Sequence, residues 1–230
     1  MGFFPVSLQL AHRPCTVVGG GEVAYRKVGS LLACRAEVRV ISQRLTAELN
    51  SLYQAGALTW LAREYRKGDL VGSFLVIAAT DDEAVQAMIH TEAEQDNLLL
   101  NVADKPKWCN VILPAVVRRG DLTIAISTGG ASPALASKIR RDLEAKIGVE
   151  YEALTQLLAA LRPLILIRGG DHWTNRSHFL RLVEGDLLAW ISAGRWDLLR
   201  AYIREVIGGD EALACVEDVR QRFADLINRG

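Results

Sequence analysis

Three consecutive glycines, Gly19 to Gly21, limit more strongly than any other feature how this chain can fold. They follow a β-branched segment at 16–18 and open a helical pattern over 22–34. Together with Ala24 they match the G-x-G-x-x-G/A pattern, in which the first glycine permits a tight turn and the second lets the backbone approach a pyrophosphate. The third small residue lets the helix pack closely on the strand. The segment predicts a dinucleotide site within a βαβ unit, against the alternative of a purely structural turn.

Strand-like and helix-like segments alternate along the first hundred residues. The predicted strands after the glycines are 37–41, 59–61, 74–79 and 98–102. The predicted helices are 22–34, 45–53 and 82–95, the last of them capped by Asp82. The segment 74–79 is apolar without alternation, as expected of a strand that is buried on both faces. This alternation predicts an α/β fold with an N-terminal parallel sheet covered by helices.

The regular alternation of strand and helix patterns ends after residue 113. We predict one more strand at 122–127, and then a helix to about residue 147 that begins with Ser132 as cap and Pro133 in its first turn. One apolar stripe runs along that helix, formed by Leu135, Ile139, Leu143 and Ile147. Helical patterns then follow at 151–162, 177–193, 197–207 and 210–227, separated by glycines at 169–170, 194 and 208–209. The predicted domains are 1–113, 114–147 and 148–230.

The composition excludes several classes of protein. Half of the 230 residues are hydrophobic, which rules out a disordered chain, and 27 basic residues balance 27 acidic ones, which removes the usual charge of a nucleic-acid binder. No apolar run approaches the ~20 residues of a membrane span, and the first ten residues lack the basic start of a signal peptide. The four cysteines form no Cys-x-x-Cys pair, so we expect free thiols and a cytoplasmic protein.

Basic residues are concentrated in the segment 114–147, which holds six of them and three acidic residues. A basic segment between near-neutral ends suits an anionic small ligand better than a nucleic-acid backbone. Chance variation over so short a segment is an equally good explanation.

The loop after the second predicted strand bears on the choice of cofactor. A site for NAD usually places Asp or Glu there, where the carboxylate holds the ribose 2′-hydroxyl. This chain has Ser42, Gln43 and Arg44 instead, and no acidic residue. Ser42 or Gln43 can bond the ribose, whereas Arg44 can either accept a 2′-phosphate or simply lie in solvent. These residues leave NAD and NADP equally open.

Sheets of this kind bind ligands at the carboxyl ends of their strands, which makes candidates of the loops 79–82, 101–104 and 127–130. Asp104 is the one carboxylate directly past a buried strand that is not also a helix cap, so it is the candidate general acid or base. The alternative interpretation is that the Asp104 side chain only caps a loop. The amides of 128–130 can cradle a carboxylate or form a plain turn. The histidines show no metal-ligand spacing, and we expect no dedicated metal site.

Four motifs carry a resemblance to a known family: TVVGGGEVA at 16–24, AATDD at 78–82, NVAD at 101–104 and ISTGGASP at 126–133. In their order and spacing they resemble the precorrin-2 dehydrogenase/sirohydrochlorin ferrochelatase family, the dehydrogenase–chelatase module of siroheme synthase. The match extends over residues 1–147. The C-terminal part resembles the family only in helix content and length.

The resemblance implies an N-terminal NAD-binding Rossmann domain, a central dimerisation segment and a C-terminal all-helical domain, with NAD as cofactor. We expect cofactor contacts from Gly19, Gly21, Glu22, Val23, Ala24, Gln43, Arg44, Thr80 and Asp81. We expect substrate contacts from Asn101, Arg118, Ser127, Thr128, Gly129 and Lys138. Asp104 falls on the aspartate implicated in both dehydrogenation and chelation. Relatives can carry a phosphorylated serine where this chain has Thr128.

The implied activity is oxidation of precorrin-2, an anionic tetrapyrrole, to sirohydrochlorin, with insertion of ferrous iron as a second activity that only some relatives have. We expect a homodimer, and neither nucleic acid nor membrane as a partner. The methyltransferase module that some relatives carry is not expected. Two alternatives stay open: an NAD(P)-linked reductase of another anionic small molecule, and a regulatory module that senses a nucleotide without chemistry.

Overall fold

The computed structural model describes residues 2–167 and 172–228. It contains two compact units, Met1–Leu113 and Pro114–Gly230. The strands of the first unit are β1 (Pro14–Val18), β2 (Glu37–Ile41), β3 (Thr59–Leu61), β4 (Leu75–Ala78) and β5 (Leu99–Val102). They form one parallel sheet of order β3-β2-β1-β4-β5. The order reverses between β1 and β4, and such a switch point opens a crevice at the carboxyl ends of the strands.

Helices cover both faces of this sheet. Helices α1 (Glu22–Ala33) and α2 (Ala47–Gln54) pack on one face, and α3 (Glu83–Gln95) packs on the other. All four residues of β4 are buried, which confirms the predicted strand that is covered on both sides. A 3₁₀ turn at Pro106–Trp108 follows β5. The predicted α/β fold class is confirmed.

Residues 62–74 connect β3 to β4 without a helix and complete the layer beside α3. The buried carboxylate of Glu92, on α3, accepts hydrogen bonds from the Tyr65 hydroxyl (2.7 Å), the Gly68 amide (2.8 Å) and the Leu70 amide (3.0 Å). Burial, and then the bond to Glu92, raise the pKa of Tyr65 above its ordinary value, so its hydroxyl stays a donor. One side chain therefore fixes most of this connection.

Replacement of Glu92 by Gln is expected to destabilise the first unit by ~1–3 kcal/mol. In either orientation, the NH₂ group of the new amide faces the Gly68 or the Leu70 amide, so one backbone N–H loses its acceptor. Denaturant unfolding followed by circular dichroism measures the change in the free energy of unfolding. The control is Glu94→Gln, an exposed change on the same helix, and equal unfolding midpoints for the two variants would contradict this account.

The second unit begins with β6 (Ala115–Arg119) and β7 (Leu122–Ile126), which form an antiparallel hairpin, and continues with helix α4 (Pro133–Glu144). The later helices are α5 (Glu150–Ile167), α6 (His172–Glu184), α7 (Leu187–Ser192), α8 (Trp196–Val206) and α9 (Asp210–Ile227). Their buried side chains form one cluster around Leu157, Leu161 and Ile191. In the described parts of the chain, no helix is long and apolar enough to cross a membrane.

The strand predicted at 122–127 was expected to end at the same sheet edge as the others, and this was wrong. It pairs with β6 in a separate two-stranded sheet, through a tight turn at Gly120 with φ +54°. The sequence gives little signal for β6 because Arg118 and Arg119 interrupt its apolar pattern. The loop at 127–130 therefore follows a hairpin strand and does not follow a strand of the parallel sheet.

Helix boundaries in the second unit also differ from the prediction. The helix predicted at 177–193 is divided into α6 and α7 at Gly185, and α5 continues past residue 162 because Ile165 extends its buried face. α4 ends at Glu144, where the Arg119 guanidinium binds its carbonyl oxygen (3.2 Å). The predicted break at 169–170 lies outside the described residues. The division of this unit near residue 147 stays a prediction.

Candidate active site

Gly19 and Gly20 are required by backbone packing at the carboxyl end of β1. Gly19 has a φ of +123°, and a Cβ atom there would overlap the carbonyl oxygen of Ala79, after β4. A Cβ atom at Gly20 would overlap the carbonyl oxygen of Arg44, after β2. The Gly19 amide donates to the last carbonyl of β2, and the Thr46 amide donates to Gly20, each at 2.9 Å. The glycine loop therefore touches the loops that follow both neighbouring strands.

Gly21 differs from these two, because nothing in the fold requires a glycine there. Its backbone is extended, with φ −90° and ψ −171°, and a Cβ atom would meet open space. No described side chain caps the first amides of α1, so these amides and the helix dipole favour an anion. In the same turn Glu22 is exposed, Val23 is half-buried and Ala24 is fully buried against the sheet. The loop thus fits a pyrophosphate.

The ribose loop, Ser42 to Arg44, is partly occupied by its own hydrogen bonds. The Ser42 hydroxyl donates to the Arg44 carbonyl (2.7 Å). The Gln43 amide donates to Oε1 of Glu64 (3.0 Å), which turns the Gln43 carbonyl oxygen away from the carboxylate. The Arg44 guanidinium is exposed and makes no hydrogen bond or ion pair with any residue that the structure describes. Gln43 therefore offers an acceptor and Arg44 a free positive charge.

Glu64 is a residue of this loop cluster that the sequence patterns missed. It lies just past β3, and β3 runs parallel to β2 with Leu61 opposite Ile41. The loops after these two strands consequently lie side by side, and the carboxylate reaches Gln43 from the neighbouring strand. The available signal in the sequence is an acidic residue three positions past a predicted short strand.

The loop after β4 is held by helix α3. Asp82 caps this helix as predicted, and its Oδ1 accepts from two amides of the first turn (2.9 and 3.1 Å). The Thr80 hydroxyl oxygen accepts from the Asp82 amide (3.3 Å), and Asp81 is exposed. Because Gly19 closely approaches Ala79, Thr80 and Asp81 lie beside the glycine loop. The glycine loop, the ribose loop and the loop with Thr80 and Asp81 are therefore adjacent.

Asp104 follows β5 and adopts a left-handed backbone with φ +58°. Asp tolerates this region better than most residues, and such a conformation costs of order 1–3 kcal/mol where the surroundings enforce it. Its side chain is exposed and has no hydrogen-bond partner within the described part of the chain, so a capping role has no support. The next residue, Lys105, pairs with Glu83 at the start of α3. The carboxylate is thus accessible to solvent and to a ligand.

The Asn101 side chain makes structural hydrogen bonds in addition to its predicted contact with substrate. Its amide donates to the Val111 carbonyl (2.9 Å) and lies 3.8 Å from the sulfur of Cys109. These contacts fold the segment after the 3₁₀ turn back onto β5. Its contact with substrate stays a prediction.

The remaining candidates belong to the second unit. In the loop after β7, the Ser127 hydroxyl accepts from the Gly129 amide (3.1 Å), and the Thr128 hydroxyl accepts from the Ser132 amide (2.9 Å). Gly129 and Gly130 have φ of +62° and +87°, with open space where a Cβ atom would lie. Ser132 caps α4 as predicted, and the Gly129 amide is already bonded, so the carboxylate cradle at 128–130 stays a prediction.

Two predicted cationic contacts with substrate lie on different elements of the second unit. Arg118 is exposed on β6. Lys138 lies on α4 and pairs with Asp142 (2.6 Å). An exposed pair of this kind contributes ~0–1 kcal/mol, so a stronger anion can displace the aspartate. Within residues 2–167 and 172–228, no group of three His, Cys, Asp or Glu side chains could hold a metal ion.

Comparison with known proteins shows what the chain is similar to. The family model "Putative NAD(P)-binding" matches residues 6–115, and "Sirohaem biosynthesis protein central" matches 119–146. Siroheme synthase 1 of Pectobacterium atrosepticum is 37% identical over 195 residues, which are 85% of this chain and 41% of that protein. Siroheme synthase of Thioalkalivibrio sulfidiphilus is 36% identical over 207 residues, or 90% and 42%. The chain spans about two fifths of these relatives.

A solved structure described as SirC, precorrin-2 dehydrogenase, matches with a TM-score of 0.74 and 28% identity, over 89% of this chain and 98% of that chain. The predicted resemblance is confirmed, because the chain is similar to siroheme synthases and to a precorrin-2 dehydrogenase. The NAD(P)-binding model and the structural match confirm the predicted arrangement of an NAD(P)-binding parallel sheet followed by a helical C-terminal region. The roles of the individual site residues stay predictions.

Gly21→Asp is expected to weaken NAD⁺ binding at least ~10-fold, a loss of ~1.4 kcal/mol or more, while the protein stays folded. The new carboxylate enters the open space in front of α1 and repels a pyrophosphate there. Calorimetric titration with NAD⁺ measures the affinity, and circular dichroism checks the fold. Gly29→Asp is the matched control, because Gly29 is exposed on the same helix with open space around it. Normal NAD⁺ binding by a folded Gly21→Asp protein would refute the phosphate-loop assignment.

Proposed function

We propose that the protein oxidises precorrin-2 to sirohydrochlorin and reduces NAD⁺ to NADH. The observation that carries this proposal is the open space at Gly21, in front of an uncapped helix at the carboxyl ends of β1 and β4. It supports a bound dinucleotide over a purely structural turn. The substrate is inferred from SirC, whose name is precorrin-2 dehydrogenase and whose chain is covered almost completely.

The residues of the first unit indicate how the cofactor would lie along the sheet edge. When bound, the cofactor supplies the hydride acceptor. Gly21, Glu22 and Val23 would hold the pyrophosphate, while Gln43 and Arg44 would meet the adenosine ribose. Thr80 and Asp81 follow β4, the strand between β1 and β5. They would border the cofactor on its way towards Asp104.

Asp104 is the proposed proton acceptor. Oxidation removes a hydride and a proton from precorrin-2; the hydride passes to NAD⁺, and the Asp104 carboxylate takes the proton. The Ala103 amide donates to the Ala78 carbonyl (2.9 Å), which keeps the end of β5 in register with β4. Neighbouring strands lie ~4.8 Å apart, so the end of β5 is about 10 Å from the end of β1. An exposed carboxylate at that place supports general base catalysis on a ligand bound over the sheet edge.

Cationic and hydroxyl donors of the second unit are the proposed anchors for the substrate's carboxylates. Arg118 and Lys138 supply positive charge, and in the loop 127–129 the Ser127 and Thr128 hydroxyls, which accept from loop amides, can still donate. The surplus of positive charge in 114–147 supports this assignment. A tetrapyrrole with several carboxylates suits several separate anchors.

Insertion of ferrous iron into sirohydrochlorin is a second proposed activity, in which iron is a substrate. The pyrrole N–H groups must lose their protons when the metal enters, and Asp104 is again the available acceptor. The name siroheme synthase, which the curated relatives carry, supports this step. Asp104 would then act in both reactions.

We also propose a homodimer that forms through the segment 114–147. Leu135 is 49% exposed, Ile139 and Leu143 are half-buried, and Ala136 is the one fully buried residue of α4. In the described structure the hairpin has two strands, so each has an unpaired edge. A second copy related by a two-fold axis would cover the stripe and an edge together.

Asp104→Asn is expected to lower turnover of precorrin-2 by ~10²-fold or more, with NAD⁺ affinity nearly unchanged. Asn also tolerates the left-handed backbone, so the fold should be retained. Sirohydrochlorin and NADH are followed optically in the presence of precorrin-2 and NAD⁺. Asp96→Asn, at the other end of the sheet, is the control. Unchanged turnover of Asp104→Asn would remove this residue from catalysis, and a wild-type protein that binds NAD⁺ without turning over precorrin-2 would favour a regulatory module.

The double variant Ile139→Glu and Leu143→Glu is expected to be monomeric and less active. Two glutamates on the stripe would place charge against charge across the two-fold axis. Sedimentation velocity separates monomer from dimer, and Ala145→Glu, an exposed change just past α4, controls for added charge. A wild-type protein that sediments as a fully active monomer of 25.3 kDa would overturn the dimer proposal.

A further inference from the structure

The acidic residue that the ribose loop lacks in sequence is supplied in space by the neighbouring strand. Gln43 lies directly past β2, where a dinucleotide site holds the adenosine ribose. Glu64 lies past β3, and its carboxylate accepts from the Gln43 amide at 3.0 Å. Leu61 and Ile41 are paired in parallel, so the sheet register brings the two loops together.

The carboxylate determines which side of the Gln43 amide is available to a ligand. A carboxylate only accepts hydrogen bonds, so Gln43 must turn its NH₂ group to Glu64 and its carbonyl oxygen elsewhere. That oxygen can accept a hydrogen bond from a ribose hydroxyl. A 2′-phosphate is itself an acceptor and gains nothing from it.

The negative charge of Glu64 also disfavours a 2′-phosphate. A 2′-phosphate in the place of that ribose hydroxyl would carry a charge near −2 at roughly 6–8 Å from the Glu64 carboxylate, and repulsion at that distance in water weakens binding by about five- to tenfold. Arg44 carries the opposite charge, but no hydrogen bond or ion pair with a described residue fixes its guanidinium in the loop. Glu64 is held by Gln43, and its charge is therefore localised.

We propose that Glu64 sets the preference of this protein for NAD over NADP, by orienting Gln43 and by repelling a 2′-phosphate. Glu64 is a positioning residue on this account, since Gln43 makes the contact with the ribose. The inference rests on the proposed function, because it takes NAD⁺ as the cofactor.

The test is calorimetric titration of the full chain with NAD⁺ and with NADP⁺, which needs no tetrapyrrole. The wild type is expected to bind NAD⁺ more tightly. Glu64→Gln removes the charge and lets the Gln43 amide turn over, so the NAD⁺/NADP⁺ affinity ratio should fall about tenfold, mainly through tighter NADP⁺ binding. Glu64→Lys should lower the ratio further.

Glu37→Gln is the matched control, since Glu37 is an exposed carboxylate at the opposite end of β2. It removes the same charge and should leave the ratio unchanged. A ratio that stays within about twofold in Glu64→Gln, while the wild type binds NAD⁺, would overturn the role of Glu64 and leave the proposed function standing. A wild type that prefers NADP⁺ would also overturn it, and one that binds neither nucleotide would overturn both proposals.

Discussion

Close approach of the glycine loop to both neighbouring strands is the contact on which the candidate site depends. Gly19 contacts the backbone after β4, and Gly20 contacts the backbone after β2, at distances that leave no room for a Cβ atom. These two contacts bring the phosphate, ribose and Thr80 loops to one edge of the sheet. Gly21 differs, because no atom of the fold lies where its Cβ atom would be. Packing explains two of the glycines, and the proposed dinucleotide site accounts for the third.

A second constraint links the stability of the first unit to its choice of cofactor. Glu92 on α3 binds Tyr65 and two backbone amides of the connection between β3 and β4. Glu64 is the residue directly before Tyr65, so the same contacts that fix this connection also fix the start of it beside Gln43. A buried carboxylate on one face of the sheet thereby positions an exposed carboxylate at its carboxyl edge. Cofactor preference in this protein is a property of the sheet register as much as of the loop sequence.

The parts of the site that local sequence determines were predictable, and the parts that depend on register were not. The glycine turn, the Asp82 cap and the position of Asp104 past β5 each follow from neighbouring residues, and the structure agrees with them. Glu64 was missed because its partner Gln43 is 21 positions away and only the pairing of β2 with β3 joins them. The hairpin strand β6 was missed for a related reason, since a half-exposed strand lacks a continuous apolar run.

The strained backbone of Asp104 has an identifiable support. β5 is an edge strand, and the returning segment pairs with it in place of a sixth strand: the Leu100 amide donates to the Asn110 side chain (2.7 Å), and the Asn110 amide donates back to the Leu100 carbonyl (3.2 Å). Asn101 and the Cys109 sulfur add further bonds to the same segment. The chain between these two anchored stretches is short, and it turns outward through Asp104 with a positive φ. Such a conformation persists only where the surroundings over-determine it. One folded-back segment therefore protects the sheet edge and holds the proposed catalytic carboxylate in solvent at the mouth of the cofactor crevice.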